Sequence, residues 1–534
     1  KLGLAAVLAL LAAAVVVTSA QAHGKLVRSE PADGSVLAQA PSQLRLWFNE
    51  SIDRKLSSLQ VADEDGQAVE VSGIGLDPAD DTSLLASLPE LSTGVYTVTW
   101  EVLTPDDGHV TKGTVVFGIG AGVQVTSASA ADTSPVPLLE VFLKWLHFSL
   151  MAVLVGSLAI VHLVLNPRGK APATRKMLEK ARRRTLGWAA LAGGAALVVG
   201  VALLLVPATS LADGSVREAV TEGVWWQVLS QSRLGMLWLA REGAILALTL
   251  AVLFLRRGVQ VAAVATVVLA PVLVTAQALN SHAAALTENS LPAVAADALH
   301  LLAASFWVGG LFALIVAFLP LMRSGGAQRL ALARAGWRRF SVLAALSLGV
   351  LLVTGLYSTA RQVASPDALL TTLYGQVLMG KMGLVLIAGA FGLLNSLLLH
   401  PRLAAPLARL LRRPAGWTPL NLRRLPALVL AEAGLGLLIF LAAGLITSVA
   451  PARGPEFEPP ATAEVPSFLS QPVDDLTLTL SARPNKPGQN IFTVGVLNSR
   501  RPPPAEIQGV TLRFTPVEAD QGPVSAEAEE VSPG

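Results

Sequence analysis

The chain has 534 residues, of which 52% are hydrophobic and only 14% are charged, and its formal net charge is +3. This composition indicates a membrane protein with room for several domains. Cysteine is absent, which excludes disulfide bonds, thiolate metal sites and cysteine-based redox or nucleophilic chemistry. Metal chemistry would have to use histidine, carboxylate or methionine side chains.

The first 22 residues predict a secretory signal peptide. They are apolar after Lys1 and end on the small-x-small triplet Ala20-Gln21-Ala22. Cleavage after Ala22 would make His23 the amino terminus of the mature protein. The alternative is an uncleaved signal anchor, in which His23 is an ordinary surface residue.

Residues 23–120 predict a small antiparallel β-sandwich of the Ig-like, Greek-key type. Apolar and polar residues alternate in short segments at 43–48, 58–61, 95–102 and 114–117, and turn residues separate these segments. Residues 121–137 are small and polar and read as a linker.

This segment resembles the CopC family of periplasmic copper-binding domains. The matching residues are Ala22-His23, Ser29 to Gly34, Leu46 to Glu50, Asp107-Gly108-His109, Gly113 and Val115 to Phe117. The resemblance implies a Cu(II) site at His23, Asp107 and His109, with Glu50 nearby as a supporting group. It also implies no methionine-rich Cu(I) site, because residues 23–137 contain no methionine.

The residue types agree with that assignment. A free His23 would offer an α-amine and an imidazole from one residue, while Asp107 and His109, two positions apart, share one face of an extended segment. Together they form a tetragonal nitrogen and oxygen set, which suits Cu(II). The alternative is that Asp107-Gly108-His109 is only a turn before a strand.

Residues 138–450 predict a transmembrane bundle. The apolar spans, each long enough to cross a bilayer, lie at about 138–166, 184–206, 233–255, 259–279, 291–320, 337–359, 376–399 and 426–449. Lysine and arginine concentrate in alternate loops. This bias predicts a multi-pass protein of the plasma (inner) membrane, with the β-domain and the C-terminus outside the cytoplasm.

The eight spans read as two parallel four-helix repeats. Matching spacings pair His147 and Gly156 with His300 and Gly309, and Gly235 and Arg241 with Gly375 and Lys381. The spans resemble the CopD family, the membrane partner of CopC, at His282, Asp297, His300, Phe306 to Gly310, Thr354-Gly355, Tyr374-Gly375, Lys381, Asn395 and Glu432.

Ionisable residues inside apolar spans are costly and suggest function. We expect His282, Asp297, His300 and His147 to form a ladder along which copper steps inward by ligand exchange. One alternative is that each histidine only bonds to a neighbouring helix. A second is that His147 and His300 are axial ligands of a b-type haem. Buried Arg241, Glu242, Lys381 and Glu432 are expected to pair with one another or with Asp297.

A nucleotide partner is not expected. Residues 375–381 fit the first seven positions of a phosphate-binding loop, but Met382 stands where serine or threonine must bind Mg²⁺, and the run lies inside an apolar span. A nucleic-acid partner is not expected either, because the high pI of 9.3 comes from loop arginines.

Residues 451–534 begin as a proline-rich linker and continue with strand-like runs at 476–480, 490–496 and 509–514. They resemble part of an Ig-like domain of the YtkA family, and three strands predict an incomplete sandwich.

The sequence thus predicts copper binding outside the cytoplasm and copper transport across the membrane in a protein that is not an enzyme. The outer position of the ligand set predicts that the transport is inward. The alternatives are a haem-binding redox protein and a copper buffer or chaperone for cuproenzyme assembly that transports nothing. The residues do not identify a protein that donates or accepts the copper.

Overall fold

The computed structural model describes residues 26–78, 80–105, 108–120, 123, 125, 137–166, 170–281, 290–323, 326–414, 417–420, 424–449, 451–453, 457, 468–474, 476–483, 491–498, 509–514 and 524–529. The signal segment, His23, Asp107 and His282 lie outside these residues. The chain forms two compact units, which divide after Phe457.

The described part of the N-terminal domain contains nine strands: β1 (Leu26–Glu30), β2 (Val36–Leu37), β3 (Gln43–Phe48), β4 (Ser58–Ala62), β5 (Ala68–Val69), β6 (Ser72–Asp77), β7 (Asp80–Ser87), β8 (Gly94–Leu103) and β9 (Val110–Ile119). They pair in a four-stranded sheet, in the order β1-β3-β7-β6, and a five-stranded sheet, in the order β2-β9-β8-β4-β5. The expectation of a purely antiparallel sandwich is wrong at one edge, where β2 pairs with β9 in parallel.

Side-chain alternation builds the core of this domain. In β3, Leu44, Leu46 and Phe48 are buried while the residues between them are more exposed, as expected for a strand with one face on the core. Phe48 meets Trp100 of β8 edge to face, with 5.1 Å between ring centroids. Such aromatic pairs add about 0.5–1.5 kcal/mol to the burial of their surface.

Among the described residues, eight helices are long and apolar enough to cross a membrane. We number them spans 1 to 8: Leu138–Val164, Pro172–Leu211, Arg233–Arg256, Val261–Leu279, Leu291–Met322, Ala327–Gln362, Leu373–Leu399 and Leu425–Ile446. Spans 1 and 5 are not regular throughout, since Ile160–Val164 at the end of span 1 and Ser305–Gly309 in the middle of span 5 are π-helical.

Spans 2 and 6 begin well before their predicted starts at 184 and 337. The basic residues that the sequence places in loops continue these two helices instead. Pro172 occupies the first turn of span 2, where its fixed φ favours helix and its missing N–H costs nothing. Arg175 then pairs with Glu179 one turn later, at 2.9 Å.

Four short helices that periodicity does not predict lie between the spans: Val216–Thr221, Val224–Gln231, Pro366–Thr371 and Pro401–Leu410. Two of them lead into spans 3 and 7 through the same capping geometry. Ser232 accepts from the Gly235 N–H at 3.0 Å, and Thr372 accepts from the Gly375 N–H at 3.0 Å. The same N-cap hydrogen bond therefore occurs at the matching position in each half, which supports the predicted repeat there.

Spans 1 and 5 approach each other closely at the two glycines that the repeat pairs. A Cβ atom on Gly156 would lie 2.2 Å from the Ser305 carbonyl oxygen, and one on Gly309 would lie 1.8 Å from that of Ala152. Small residues let membrane helices pack backbone against backbone. The contact therefore joins the two halves of the bundle at equivalent positions.

The C-terminal unit is described by five strands: β10 (Phe468–Val473), β11 (Leu476–Arg483), β12 (Ile491–Asn498), β13 (Thr511–Phe514) and β14 (Val524–Glu527). The first three form an antiparallel sheet, and the last two form a separate antiparallel pair. Strands predicted near 476, 490 and 509 are present, while β10 and β14 were not predicted.

Candidate functional site

The turn that carries the predicted copper ligand His109 lies against the membrane bundle. The Gly108 N–H donates to the Thr104 carbonyl at 3.0 Å, and the Thr104 N–H donates to the His109 carbonyl at 2.9 Å. Gly108 has a φ of +78°, and a Cβ atom there would lie 2.8 Å from Leu234 of span 3. Glycine is therefore needed at this position both for the backbone conformation and for the contact.

His109 also reaches span 1. Its Nε2 atom lies 3.3 Å from Oε1 of Glu140, and the two side chains are only 13% and 9% exposed. Lys144, one helical turn further along span 1, places its Nζ atom 2.5 Å from the same oxygen. A second bond from Lys144 goes to the Thr447 carbonyl after span 8, at 2.6 Å. This carboxylate is thus shared between the β-domain and the bundle.

A second polar contact between the β-domain and the bundle is more exposed. Lys112 of β9 lies 2.7 Å from Asp213, which follows span 2, and 3.2 Å from Glu101 of β8. Hydrogen bonding from Lys112, together with its charge, lowers the pKa of Asp213. Burial raises the pKa of Glu101. Burial opposes the charged form of Lys112, but its bonds to Asp213 and Glu101 still raise its pKa.

A cavity of about 360 Å³ lies beneath this turn and is lined by residues from all eight spans. Gly108 lines its outer part. Its charged and histidine lining includes Glu140, His147, Arg241, Asp297, His300 and Lys381. The cavity therefore brings together three of the four residues of the predicted membrane ladder, and the fourth, His282, lies outside the described residues.

The first ladder residue, His147, is fully buried on span 1. Its Nε2 atom lies 3.6 Å from Oε1 of Glu242, which also accepts a bond from Arg241 at 2.9 Å. Neither ring nitrogen of His147 has a hydrogen-bond partner within the described part of the chain. His147 therefore approaches span 3 through Glu242, at a distance longer than an ordinary hydrogen bond.

In the second half of the bundle, the side chains of Asp297 and His300 each have a hydrogen-bond partner. Asp297 accepts from the Ser281 hydroxyl at 2.8 Å, and Nδ1 of His300 lies 2.9 Å from the Thr354 hydroxyl. Lys381 interacts electrostatically with both Asp297 and His300. Lys381 and the rest of residues 375–381 lie within the helix of span 7.

The expected pairing of buried charges holds for Arg241 with Glu242 and is wrong for Glu432. The two carboxylate oxygens of Glu432 accept from neutral donors, the Trp307 indole at 2.9 Å and the Asn395 amide at 2.7 Å. Neutral donors satisfy a buried carboxylate without bringing a second charge into the membrane, where each charge costs about 2.5–3.5 kcal/mol.

The outer metal site is only partly described. Glu50 is half-buried directly after β3, and its supporting role stays a prediction because His23 and Asp107 lie outside the described residues. Within the described ranges, no three histidine or carboxylate side chains are grouped closely enough to hold a metal ion together. The membrane residues consequently offer separate ligands along a cavity instead of one closed site.

Sequence reasoning missed Glu140 and Lys144. Both lie at the start of an apolar span, directly after the linker, and their spacing of four residues places them on one helical face. This pair of charged residues is the sequence feature from which a functional position could have been predicted. Their contact with His109 depends on the fold, because 31 positions along the chain separate His109 from Glu140.

Three family models match the chain. The CopC domain matches residues 26–120, the N-terminal domain of copper resistance protein D-like proteins matches residues 134–291, and copper resistance protein D matches residues 334–446.

Relatives are similar over the same regions. The copper transport protein CutJ of Bacillus subtilis (strain 168) is 27% identical over 501 residues, which cover 92% of this chain and 85% of that protein. Copper resistance protein C of Pseudomonas syringae pv. tomato is 35% identical over 120 residues, or 21% of this chain and 91% of that protein. The crystal structure of CopC from Methylosinus trichosporium OB3b is 27% identical and covers 20% of this chain and 100% of its own, with a TM-score of 0.18.

Proposed function

The chain belongs to the CopC and CopD copper-resistance families, and we propose that it captures copper on its β-domain and passes it into the membrane through the cavity beneath Gly108. In this proposal copper is the cargo and no chemical conversion is catalysed. The proposal puts the protein in the plasma membrane with both terminal domains outside the cytoplasm, an orientation supported by the concentration of lysine and arginine in alternate loops.

One observation carries the proposal. Gly108 stands between the predicted copper ligands Asp107 and His109, and it lines the same cavity as Asp297 and His300. A metal ion released beside Gly108 would therefore enter the cavity into which Asp297 and His300 also face. A β-domain that served only as a buffer would not need its ligand turn placed over this cavity.

The donor set suits passage better than storage. Imidazole and carboxylate groups both bind copper, but the described membrane residues do not form a group of three such ligands. Conduction requires sites that bind well enough for the ion to enter and weakly enough for it to leave. Separate donors such as His147, Asp297 and His300 meet that requirement, and we propose inward movement because the stronger ligand set lies on the outer β-domain.

Copper uptake into proteoliposomes tests the proposal. The double variant Asp297→Asn, His300→Ala should take up copper at least about tenfold more slowly, because it loses two of the described donors in the cavity; a tenfold change corresponds to about 1.4 kcal/mol. His162→Gln is the matched control, because His162 is a membrane histidine that bonds to Thr266 at 3.0 Å and does not line the cavity. It should stay close to the wild-type rate.

Two outcomes would contradict the proposal. Uptake by the double variant at the wild-type rate would remove Asp297 and His300 from the path. Wild-type protein that binds copper and shows no uptake would favour the non-transporting buffer or chaperone. Direction is decided in cells: a deletion strain that holds less copper in copper-limited medium supports import, whereas one that holds more reverses the direction.

A further inference from the structure

Glu140 is the one carboxylate described at the junction of the His109 turn and the cavity. Its Oε1 atom lies 3.3 Å from Nε2 of His109 and 2.5 Å from Nζ of Lys144, and the Ser448 hydroxyl bonds to it at 3.4 Å. The carboxylate is almost fully buried, so it lies where the β-domain and the bundle exclude solvent.

A structural anchor would explain only part of this arrangement. An acidic residue in the first turn of a helix is favoured by the helix dipole, and the pairing with Lys144 at i+4 is favourable too. Neither effect requires His109 as a neighbour. The β-domain is also held by Lys112 against Asp213 and by Gly108 against Leu234.

We propose that Glu140 is the first copper ligand of the membrane domain and takes the ion directly from His109. This inference rests on the proposed function and names the transfer step within it. A first-row divalent ion lies about 2 Å from each nitrogen or oxygen ligand, so two neighbouring ligands of one ion are separated by about 2.8 Å at the 90° of the tetragonal geometry that Cu(II) favours and by about 3.3 Å at 110°. The observed separation of Nε2 and Oε1 is 3.3 Å.

The next step follows from the helix. Glu140, Lys144 and His147 occupy positions i, i+4 and i+7 of span 1, which lie on one helical face, and all three line the cavity. At a rise of 1.5 Å per residue, His147 lies about 10 Å deeper than Glu140. The face therefore leads from the transfer point to the first fully buried imidazole.

Lys144 provides the charge balance for this exchange. While no ion is bound, its ammonium group neutralises Glu140 at 2.5 Å. A copper ion that binds Glu140 repels this ammonium group, which still has the Thr447 carbonyl as an acceptor at 2.6 Å. When the ion moves on, Lys144 pairs with Glu140 again, so the carboxylate is not left as an uncompensated buried charge.

The test uses the full-length protein in lipid nanodiscs and in proteoliposomes. Glu140→Gln keeps the shape of the side chain but removes its charge, so copper uptake should fall at least about tenfold, while Cu(II) affinity in a titration changes less than about twofold. Glu140→His offers imidazole nitrogen, which binds copper better than carboxylate oxygen, so it should hold the ion beside His109 instead of passing it on. After addition of one equivalent of Cu(II), its paramagnetic resonance spectrum should show one more coupled nitrogen than the wild type.

Glu222→Gln is the matched control, because Glu222 is an exposed glutamate between spans 2 and 3. It should change neither uptake nor the spectrum. Uptake by Glu140→Gln at the wild-type rate would overturn the inference, and so would a Glu140→His spectrum without the additional nitrogen. If wild-type protein takes up no copper, the transport proposal fails on its own, and the spectrum of Glu140→His still decides whether position 140 meets the ion.

Discussion

The close approach of spans 1 and 5 can be tested by adding a single methyl group. Gly309→Ala places a Cβ atom 1.8 Å from the carbonyl oxygen and 2.4 Å from the carbonyl carbon of Ala152, whereas real Cβ atoms essentially never come within 3.0 Å. Both obstructing atoms belong to the backbone, so no side chain can rotate out of the way. The two helices must move apart by about 1 Å to relieve the overlap.

The expected cost follows from this geometry. Overpacking a well-packed site costs about 1–3 kcal/mol, and Gly309→Ala should fall at the upper end because the obstacle is rigid backbone. Gly156→Ala should show a similar loss, since its Cβ atom would lie 2.2 Å from the Ser305 carbonyl oxygen. Gly349→Ala in span 6 is the control, because nothing lies within 4 Å of its added Cβ atom.

The assay is unfolding of purified protein in mixed micelles with increasing sodium dodecyl sulfate, followed by tryptophan fluorescence. Gly349→Ala should unfold at the wild-type midpoint or slightly above it, since alanine favours helix over glycine by about 1 kcal/mol. Gly309→Ala should unfold at a clearly lower fraction of denaturing detergent. If the two variants unfold together, spans 1 and 5 do not pack backbone against backbone, and the contact between the halves is refuted.

Three further predictions concern the outer site, the domain contact and the haem alternative. One extra residue ahead of His23 in the mature protein should weaken Cu(II) binding strongly in a titration, because the free α-amine leaves the chelate; unchanged affinity would disprove the chelate. A zero-length crosslink between Lys112 and Asp213 should be lost in Lys112→Gln. The ion pair itself should persist between about pH 5 and 8, since the lowered pKa of Asp213 weakens it only below the ordinary value of 3.8 and the raised pKa of Lys112 only above 10.5. Purified protein should show no Soret band, because Glu242 lies beside the His147 ring nitrogen; such a band would favour the redox protein.

Much of the fold was predictable because it rests on local periodicity. Alternation at residues 43–48 predicts β3, which the structure contains as Gln43–Phe48, because burial of one face of a strand imposes a period of two. Long apolar runs likewise predict the eight spans. The starts of spans 2 and 6 were missed because a run of basic residues is equally compatible with a loop and with a helix that continues beyond the membrane.

The candidate site was predictable in its residue types but not in its connections. His147, Asp297 and His300 stand out because ionisable groups are costly inside apolar spans. That Trp307 and Asn395 donate hydrogen bonds to Glu432 could not be predicted, since these three residues come from three different spans. Pairing of buried groups depends on which helices are neighbours.

The sequence by itself determined the class of the protein: a β-sandwich with an outer metal-ligand motif, an eight-span bundle with a few ionisable residues, and a chemistry limited to histidine, carboxylate and methionine. Only the tertiary structure decided that Gly108, next to His109, lies over a cavity and that Glu140 faces His109. The physical reason is that hydrophobic periodicity, and the free-energy cost of an ionisable residue in the membrane, can both be read from a few neighbouring positions of the chain. Contact between a turn and a helix face depends instead on how whole domains pack.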